Sequence, residues 1–430
     1  MQLRKIILLA TILAGSYTLM AQTDKNSIDD KQNEKRKKVT KSETDFKDTE
    51  VNFLFNYYEQ DGDHSPVTGG RGTEKLENIA PTFVVHVPMD SVSSLDLNFG
   101  IDIYTSASTD NIDYFDGNKS GASGKDIRSH INAAYNRNLL KSGDTYSIMA
   151  GFSKEFDVTS FNFGGSYTLN STDKNRSLSL DALYMSDTWK LLYPYEIRGT
   201  SKANLKDDKR STMKLGLSYS QVINKRLQAL FSLEVVSQSG LLSTPFHRVF
   251  FDDAIGQSDD ILRSLSFVEK LEDNRLKIPI SMRWNYYFND FMRVRTFYRY
   301  YTDSWGITAH TASIELPMQV SPSLIASPFF RYHTQTAADN FYEFGQVSKA
   351  MVDAKETQFY TSDYDLSDLS STKIGLGLQY SPIMGVGNFK SPFRKNKQAQ
   401  LKSIGLRTAY YDRSDGLNAW LLSLDFAFTF

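Results

Sequence analysis

Apolar and polar residues alternate with a period of two along most of the chain after residue 50. The clearest stretch is 95–103, in which every second position is apolar: Leu95, Leu97, Phe99, Ile101 and Ile103. Successive side chains of a β-strand point to opposite faces, so such a segment has one face suited to hydrocarbon and one suited to water. The same alternation recurs in segments 51–57, 127–135, 146–152, 161–169, 178–184, 213–219, 227–235, 278–288, 314–320, 374–380 and 404–410. We therefore predict an all-β fold.

Less regular segments at 79–87, 293–301, 324–335 and 417–430 raise the strand count to about 16, with a range of about 14 to 18, and bacterial outer-membrane barrels have an even number. The connections support this interpretation. The long ones, 59–76, 106–125, 188–210, 240–273 and 337–370, all follow odd-numbered strands, whereas most connections after even-numbered strands are short and rich in turn formers. Only 383–398 is long on the expected periplasmic side. The pattern predicts a transmembrane antiparallel up-and-down β-barrel.

The first 21 residues have the features of a secretory signal peptide. Arg4 and Lys5 precede an apolar stretch, and a small residue, Ala21, precedes a polar start. An uncleaved anchor is the alternative, but the apolar stretch is shorter than the 20 or so residues that a membrane-spanning helix needs. We predict a signal peptide at 1–21, a charged, disordered periplasmic segment at 22–49 and the barrel at 50–430. The expected location is the outer membrane, after cleavage.

The composition fits that location. The chain contains 28 Phe and 24 Tyr, and aromatic residues form girdles at both interfaces of outer-membrane barrels. No cysteine is present, which excludes disulfides, thiolate metal sites and an acylated lipoprotein cysteine. The 49 basic residues balance the 50 acidic residues, so the charge gives no argument for a nucleic-acid partner.

The last segment ends on alternating apolar residues: Trp420, Leu422, Leu424, Phe426, Phe428 and Phe430. This ending resembles the signal that the barrel-assembly machinery recognises, for which Phe426, Phe428 and Phe430 are the candidates. An ordinary amphipathic closing strand is the alternative, and the two interpretations are compatible because a barrel must close to remove its edges.

Four stretches resemble an uncharacterised family of Gram-negative outer-membrane proteins, known as domain of unknown function 3570. They are 100–110 (GIDIYTSASTD), 240–249 (GLLSTPFHRV), 300–311 (YYTDSWGITAHT) and 331–339 (RYHTQTAAD). The residues at 105–110 resemble those of the Bacteroidota branch of this family. The resemblance implies an outer-membrane barrel, with no agreed activity, substrate or catalytic residue to transfer.

If the apolar face of each strand meets lipid, the other face lines the lumen. On the tenth to fifteenth predicted strands that face carries mostly basic residues: Lys277, Arg283, Arg293, Arg295, Arg299, Arg331, His333, Lys373 and Arg407. Acidic residues there are chiefly Glu315 and Asp425, and other strands contribute Asp96, Asp102, Asp181 and Asp187. This arrangement predicts a basic wall facing an acidic wall, as in a selective pore. The alternative is an ion-pair network that stiffens the interior.

Other candidate chemistry is sparse. The six histidines show no metal-ligand spacing, and the only weak calcium candidates are Asp110, Asp113 and Asp116 in one predicted loop. Ser243, His247 and Asp252 could be imagined as a triad, but no nucleophile or phosphate-binding motif is present.

We therefore expect no enzyme and no cofactor. The expected partners are outer-membrane lipid, the barrel-assembly machinery and, in some settings, other envelope proteins. The leading hypothesis is a porin-like or substrate-specific channel. The alternatives are a structural or partner-bound barrel of an envelope assembly and, third, a membrane-embedded enzyme.

Overall fold

The computed structural model describes residues 48–106, 126–140, 142–206, 208–391 and 398–430. These ranges contain twenty strands: β1 Glu50–Asp61, β2 Leu76–Pro88, β3 Ser93–Ser106, β4 Asp126–Asn138, β5 Thr145–Lys154, β6 Val158–Asn170, β7 Arg176–Trp189, β8 Lys209–Asn224, β9 Leu227–Gly240, β10 Arg248–Val249, β11 Phe267–Val268, β12 Asn274–Tyr287, β13 Arg293–Asp303, β14 Thr308–Glu315, β15 Met318–Ser321, β16 Leu324–Gln335, β17 Leu369–Tyr380, β18 Gly387–Lys390, β19 Gln398–Arg413 and β20 Asn418–Thr429. Two short helices lie between strands: α1 Asp259–Leu265 and α2 Lys349–Asp353.

The strands form a closed antiparallel barrel. Each barrel strand pairs with its sequence neighbours, and β1 pairs with both β2 and β20, which closes the ring. β15 continues the position of β14, and β18 pairs only with the first residues of β19, so the described residues form a barrel of sixteen positions. The separate pair β10–β11 lies in the connection between β9 and β12. The predicted fold, an antiparallel barrel of about 16 strands, is confirmed.

The outer face of the barrel is apolar. Ile131, Phe161, Phe163 and Ile374 are 50 to 62% exposed, although they are large hydrophobic residues. Residues of opposite parity on the same strands point inward and are mostly polar, as at Asn132, which sits beside Ile131. An apolar outer surface around a closed barrel is suited to lipid, because every strand edge is paired. Among the described residues, no helix is long and apolar enough to cross a membrane.

The two ends of the barrel differ. Thr49 and Phe430 exchange backbone hydrogen bonds at the end that also carries the short turns 89–92, 171–175 and 225–226. The long connections 62–75, 190–208, 241–273 and 336–368 all leave from the other end. Short turns are periplasmic and long loops extracellular in barrels of this kind. The connection 107–125 lies outside the described residues.

The long connections fold together into a layer that we call the cap, consisting of residues 62–75, 190–206, 241–273 and 336–368. It contains its own apolar clusters, among them Val249, Phe251, Val347 and Tyr360, which come from two different loops. Among the described residues, most of the largest buried side chains, including Phe250 and His247, belong to it. The cap is therefore a packed structure and not a set of independent loops.

The cap spans the mouth of the barrel. Loop 62–75 follows the first barrel strand and loop 241–273 follows the ninth, so they leave from opposite sides of a ring of sixteen. Arg248 nevertheless donates to the backbone oxygen of Val67 at 2.6 Å. A strand spacing of about 4.8 Å and a tilt near 40° give a barrel roughly 30 Å across, so this contact requires loops that reach far over the opening.

Candidate functional site

The inner face of β12 to β19 carries the predicted basic residues in register. Arg295 pairs in register with Glu315, and Phe297 with Ser313, which in turn pairs with Arg331. Arg331 then pairs directly with Lys373. Residues in register across antiparallel strands share one face, so these side chains lie on the same wall of the lumen.

Some cations of this wall have carboxylate partners. Arg407 and Arg295 both approach Glu315, at 3.0 and 3.7 Å, and Arg407 also lies over the Phe329 ring at 3.8 Å. Near the extracellular end, Arg275 donates to Asp303 at 2.8 Å, and Arg413 contacts Asp365 of the cap at 2.6 Å. Arg275 and Arg413 were not among the predicted residues. Arg413 has the parity of Arg407 on the same strand, so the alternation itself could have identified it.

Three cations have a different environment. Arg299, Arg331 and Lys373 make no ion pair and no side-chain hydrogen bond with any described residue. All three are half-buried. We call Arg299, Arg331 and Lys373 the basic cluster.

The remaining predicted residues of this wall have individual contacts. Arg283 lies 5.7 Å from the Phe297 ring, and Arg293 lies 5.3 Å from the Tyr287 ring. Lys277 pairs in register with Asp303, and Asp425 lies against Gly405. His333 is hydrogen-bonded to Thr311 at 2.9 Å and to Gln335 at 3.3 Å.

The predicted acidic residues on the opposite strands carry their own positive partners. Asp102 contacts Arg128 at 3.3 Å, and Asp187 contacts Arg210 at 2.6 Å. Lys214 lies between Asp181 and Glu234, at 3.1 and 3.5 Å. Asp96 is bonded to His86 and Asn136. These contacts neutralise much of the acidic wall, whereas the basic cluster leaves the other wall positive.

Buried ion pairs hold the cap together. The Arg248 side chain is fully buried and donates to Glu196 at 2.7 Å, which joins loop 241–273 to loop 190–206. Glu269, 2% exposed, accepts from the Thr361 hydroxyl at 2.6 Å and faces His247 at 3.5 Å. Burial alone would raise the pKa of Glu269, but His247 and the donors on Thr361 and Thr244 outweigh it and lower the pKa to about 2.

The three residues considered as a triad have separate partners. The Ser243 hydroxyl accepts from the Leu271 backbone N–H at 2.9 Å, and Asp252 accepts from the Lys349 backbone N–H at 2.9 Å. His247 faces Glu269 instead. A nucleophile and its base must be within hydrogen-bond reach, and no hydrogen bond joins any two of Ser243, His247 and Asp252 in the described structure.

An acidic trio lies at the extracellular end of β4 to β6. One carboxylate oxygen from each of Asp126, Glu155 and Asp157 lies within 4.8 Å of the others, a geometry in which a metal ion could be held. Burial, together with the charge of Asp157, raises the pKa of Glu155 to about 7, although a hydrogen bond from Tyr104 acts in the other direction. This trio was not predicted from the sequence, although Glu155 and Asp157 stand close together in a predicted connection. The weak calcium candidates Asp110, Asp113 and Asp116 lie outside the described residues.

The C-terminal aromatic residues lie at the barrel seam. Phe426 pairs in register with Phe53 of β1, and Phe428 with Val51. Phe430 follows the end of β20 and bonds to Thr49 through the backbone. The Phe389 ring packs edge-on against Phe428 and Phe430.

The fold has solved structural neighbours at low identity. A bacterial polysaccharide outer membrane secretin has a TM-score of 0.43 and 9% identity, and covers 90% of this chain and 99% of its own. A BenF-like porin from Pseudomonas fluorescens Pf-5 has a TM-score of 0.41 and 7% identity, and covers 90% and 100%. OccK2 (OpdF) from Pseudomonas aeruginosa, solved in complex with glucuronate, has a TM-score of 0.39 and 8% identity, and covers 89% and 96%. At these scores, function has to be argued from the residues of this chain.

No curated protein matches the sequence. A family model described as "Protein of unknown function (DUF3570)" matches residues 9–415, which is nearly the whole chain. This is the family to which the four sequence stretches pointed. The chain belongs to this family of proteins of unknown function.

Proposed function

We propose that the protein is a porin-like channel of the outer membrane. The observation that carries the proposal is the inner wall, on which polar and charged side chains face inward along β12 to β19. They include three half-buried cations that form no ion pair or side-chain hydrogen bond with the residues that the structure describes. A half-buried charge without a partner needs water or a solute beside it. A barrel of sixteen positions is also wide enough for an aqueous lumen, whereas the interior of a small barrel is filled by side chains.

The proposal includes the route to the membrane. Residues 1–21 would direct secretion and be removed, and the barrel-assembly machinery would recognise the C-terminal aromatic strand. The β1–β20 seam supports this role for the C-terminus, because the barrel cannot close without it. We propose a transporting barrel and not an enzyme, since Ser243, His247 and Asp252 have structural partners.

The test is single-channel conductance of the purified protein in planar bilayers. We expect discrete openings whose cation-to-anion selectivity favours anions, because the basic wall keeps its charge while the acidic wall is paired. Folding is checked on the same sample by its altered gel migration without boiling. A folded, heat-modifiable protein that leaves the bilayer sealed would overturn the channel proposal.

A second candidate is a structural barrel that scaffolds an envelope assembly. The observation that favours it is the cap, because Arg248 joins loops from opposite sides of the mouth. The two candidates differ in one outcome. A channel with a cap should conduct more when the cap is loosened, whereas a scaffold should stay sealed after the same change.

A further inference from the structure

We propose that the basic cluster, Arg299, Arg331 and Lys373, is a binding site for an organic anion that bears phosphate or carboxylate groups. The inference rests on the proposed channel function and names the class of solute.

The three side chains converge on one patch of the inner wall. Arg331 and Lys373 are directly opposite each other on β16 and β17. Arg299 pairs with Thr311, which pairs with His333, two residues beyond Arg331. Two strand spacings and two residues along the strand place the Arg299 and Arg331 backbones roughly 12 Å apart, a gap that two arginine side chains can span toward a common ligand.

The cluster differs from the other interior cations. Arg128, Arg210 and Lys214 each contact a carboxylate within 3.3 Å, and Arg407 does so at 3.0 Å. Within the described ranges, no carboxylate lies within ion-pair distance of the cluster. The described part of the barrel thus places carboxylates beside those four cations and none within ion-pair distance of the cluster.

Without a ligand this arrangement is unfavourable. Like charges directly opposite on neighbouring strands repel, and Arg331 and Lys373 form such a pair. Half-buried charges also lose part of their hydration. An anion between the side chains would remove both penalties, because it supplies a negative charge and accepts hydrogen bonds from the N–H groups of the cluster.

The residue types fit oxyanions. Arginine offers a planar fork of donors that matches carboxylate or phosphate, and lysine adds a compact charge. Ser313 pairs in register with Arg331, and Ser371 pairs with His333. Their hydroxyl groups therefore lie on the same face as the cluster. Three positive charges favour a multiply charged solute over chloride. The ligand class is therefore an organic phosphate or a polycarboxylate.

Calorimetric titration of the folded, full-length protein in detergent tests the site, with inorganic phosphate and succinate as probes at constant chloride. We expect binding of at least one probe, and the tighter probe identifies the head group. Arg331→Gln and Lys373→Gln should each weaken it about tenfold or more, the effect of losing one charge-assisted hydrogen bond. Lys225→Gln removes the same charge from an exposed periplasmic turn and should leave binding unchanged. Equal binding by wild type, Arg331→Gln and Lys373→Gln would overturn the site.

Thermal unfolding without phosphate gives a second test. Lys373→Gln removes repulsion, so its unfolding temperature should equal or exceed that of the wild type, and a clearly lower temperature would show a structural role instead. The outcomes separate the two proposals. A conducting protein that binds neither probe retains the channel proposal and loses the site. A sealed bilayer with phosphate binding that the cluster variants weaken retains the site and loses the channel.

Discussion

Replacing Arg248 by methionine should loosen the cap without unfolding the barrel. Arg248 donates to Glu196 at 2.7 Å and to the Val67 oxygen at 2.6 Å, and so connects three loops. Its side chain is fully buried and that of Glu196 is 5% exposed. Methionine fills much of the same volume but leaves the Glu196 carboxylate without its arginine.

The expected cost follows from that burial. Removing one partner of a buried ion pair costs about 3–5 kcal/mol, because the remaining charge is desolvated and uncompensated. The Ser266 hydroxyl still donates to Glu196 at 3.1 Å and offsets a small part of this free-energy cost. A loss of about 3 kcal/mol raises the population of open caps roughly 100-fold, since each 1.4 kcal/mol is a factor of about ten.

Limited trypsin digestion of the folded protein measures this population. The cap contains Lys202 and Lys349, and their cleavage should accelerate by about two orders of magnitude in Arg248→Met when opening is faster than cleavage. The matched control is the double variant Arg248→Met with Glu196→Leu, which removes both charges and should regain most of the resistance. If Arg248→Met is as resistant as wild type, the ion pair does not hold the cap.

Three further results are expected. Deletion of 426–430 removes the pairing of Phe426 with Phe53 at the seam and should give a chain that never becomes heat-modifiable, as judged by gel migration. The ionised Glu269, whose pKa is lowered to about 2, stabilises the folded cap above the unfolded pKa of about 4.5, so resistance of the cap to pepsin should fall as the pH falls from about 4.5 toward 2, and Glu269→Gln should remove this dependence. The pKa of Glu155, raised to about 7, has the opposite sign, so its contribution is present below pH 4.5 or so and is lost as the pH rises through 7. Thermal unfolding at pH 5 and pH 8 should show a larger loss in wild type than in Glu155→Gln, in which Asp157, whose pKa burial raises to about 6, still titrates.

The barrel could be predicted from the sequence because its constraint is local. A strand between lipid and water must alternate, as 95–103 does, and this signal needs no knowledge of distant residues. The same alternation also predicts that Arg331 and Lys373 lie on the inner face, although it does not predict that they lie directly opposite each other. The interruption at Leu316 and Pro317, where β14 ends and β15 begins, was not predicted, although proline cannot donate to a central ladder.

The cap could not be predicted in the same way. Arg248 and Val67 are far apart in sequence and belong to loops without periodicity, so nothing local links them. The pairing of inner charges was equally hidden, because Asp181 contacts Lys214 of the next strand only in one register. Counting the acidic and basic residues of each face therefore predicted a net charge on both walls. The strand register instead pairs most acidic residues with basic ones and neutralises much of the acidic wall.

Arg413 belongs to the basic wall and also contacts the cap. Opening or closing the cap therefore changes the charge of the lumen. Arg413 belongs to β19, six positions beyond Arg407 on the same face, yet its guanidinium is bound to Asp365 of the cap at 2.6 Å. Gln335, at the end of β16, donates to the cap oxygens of Asp365 and Ser367. Displacing the 364–367 turn would separate Arg413 from Asp365 and withdraw that carboxylate from the wall, while Asp415 would stay bound to Arg413. Opening the cap would in this way make the wall above the basic cluster more positive, so an anion would meet the stronger field when the mouth is open.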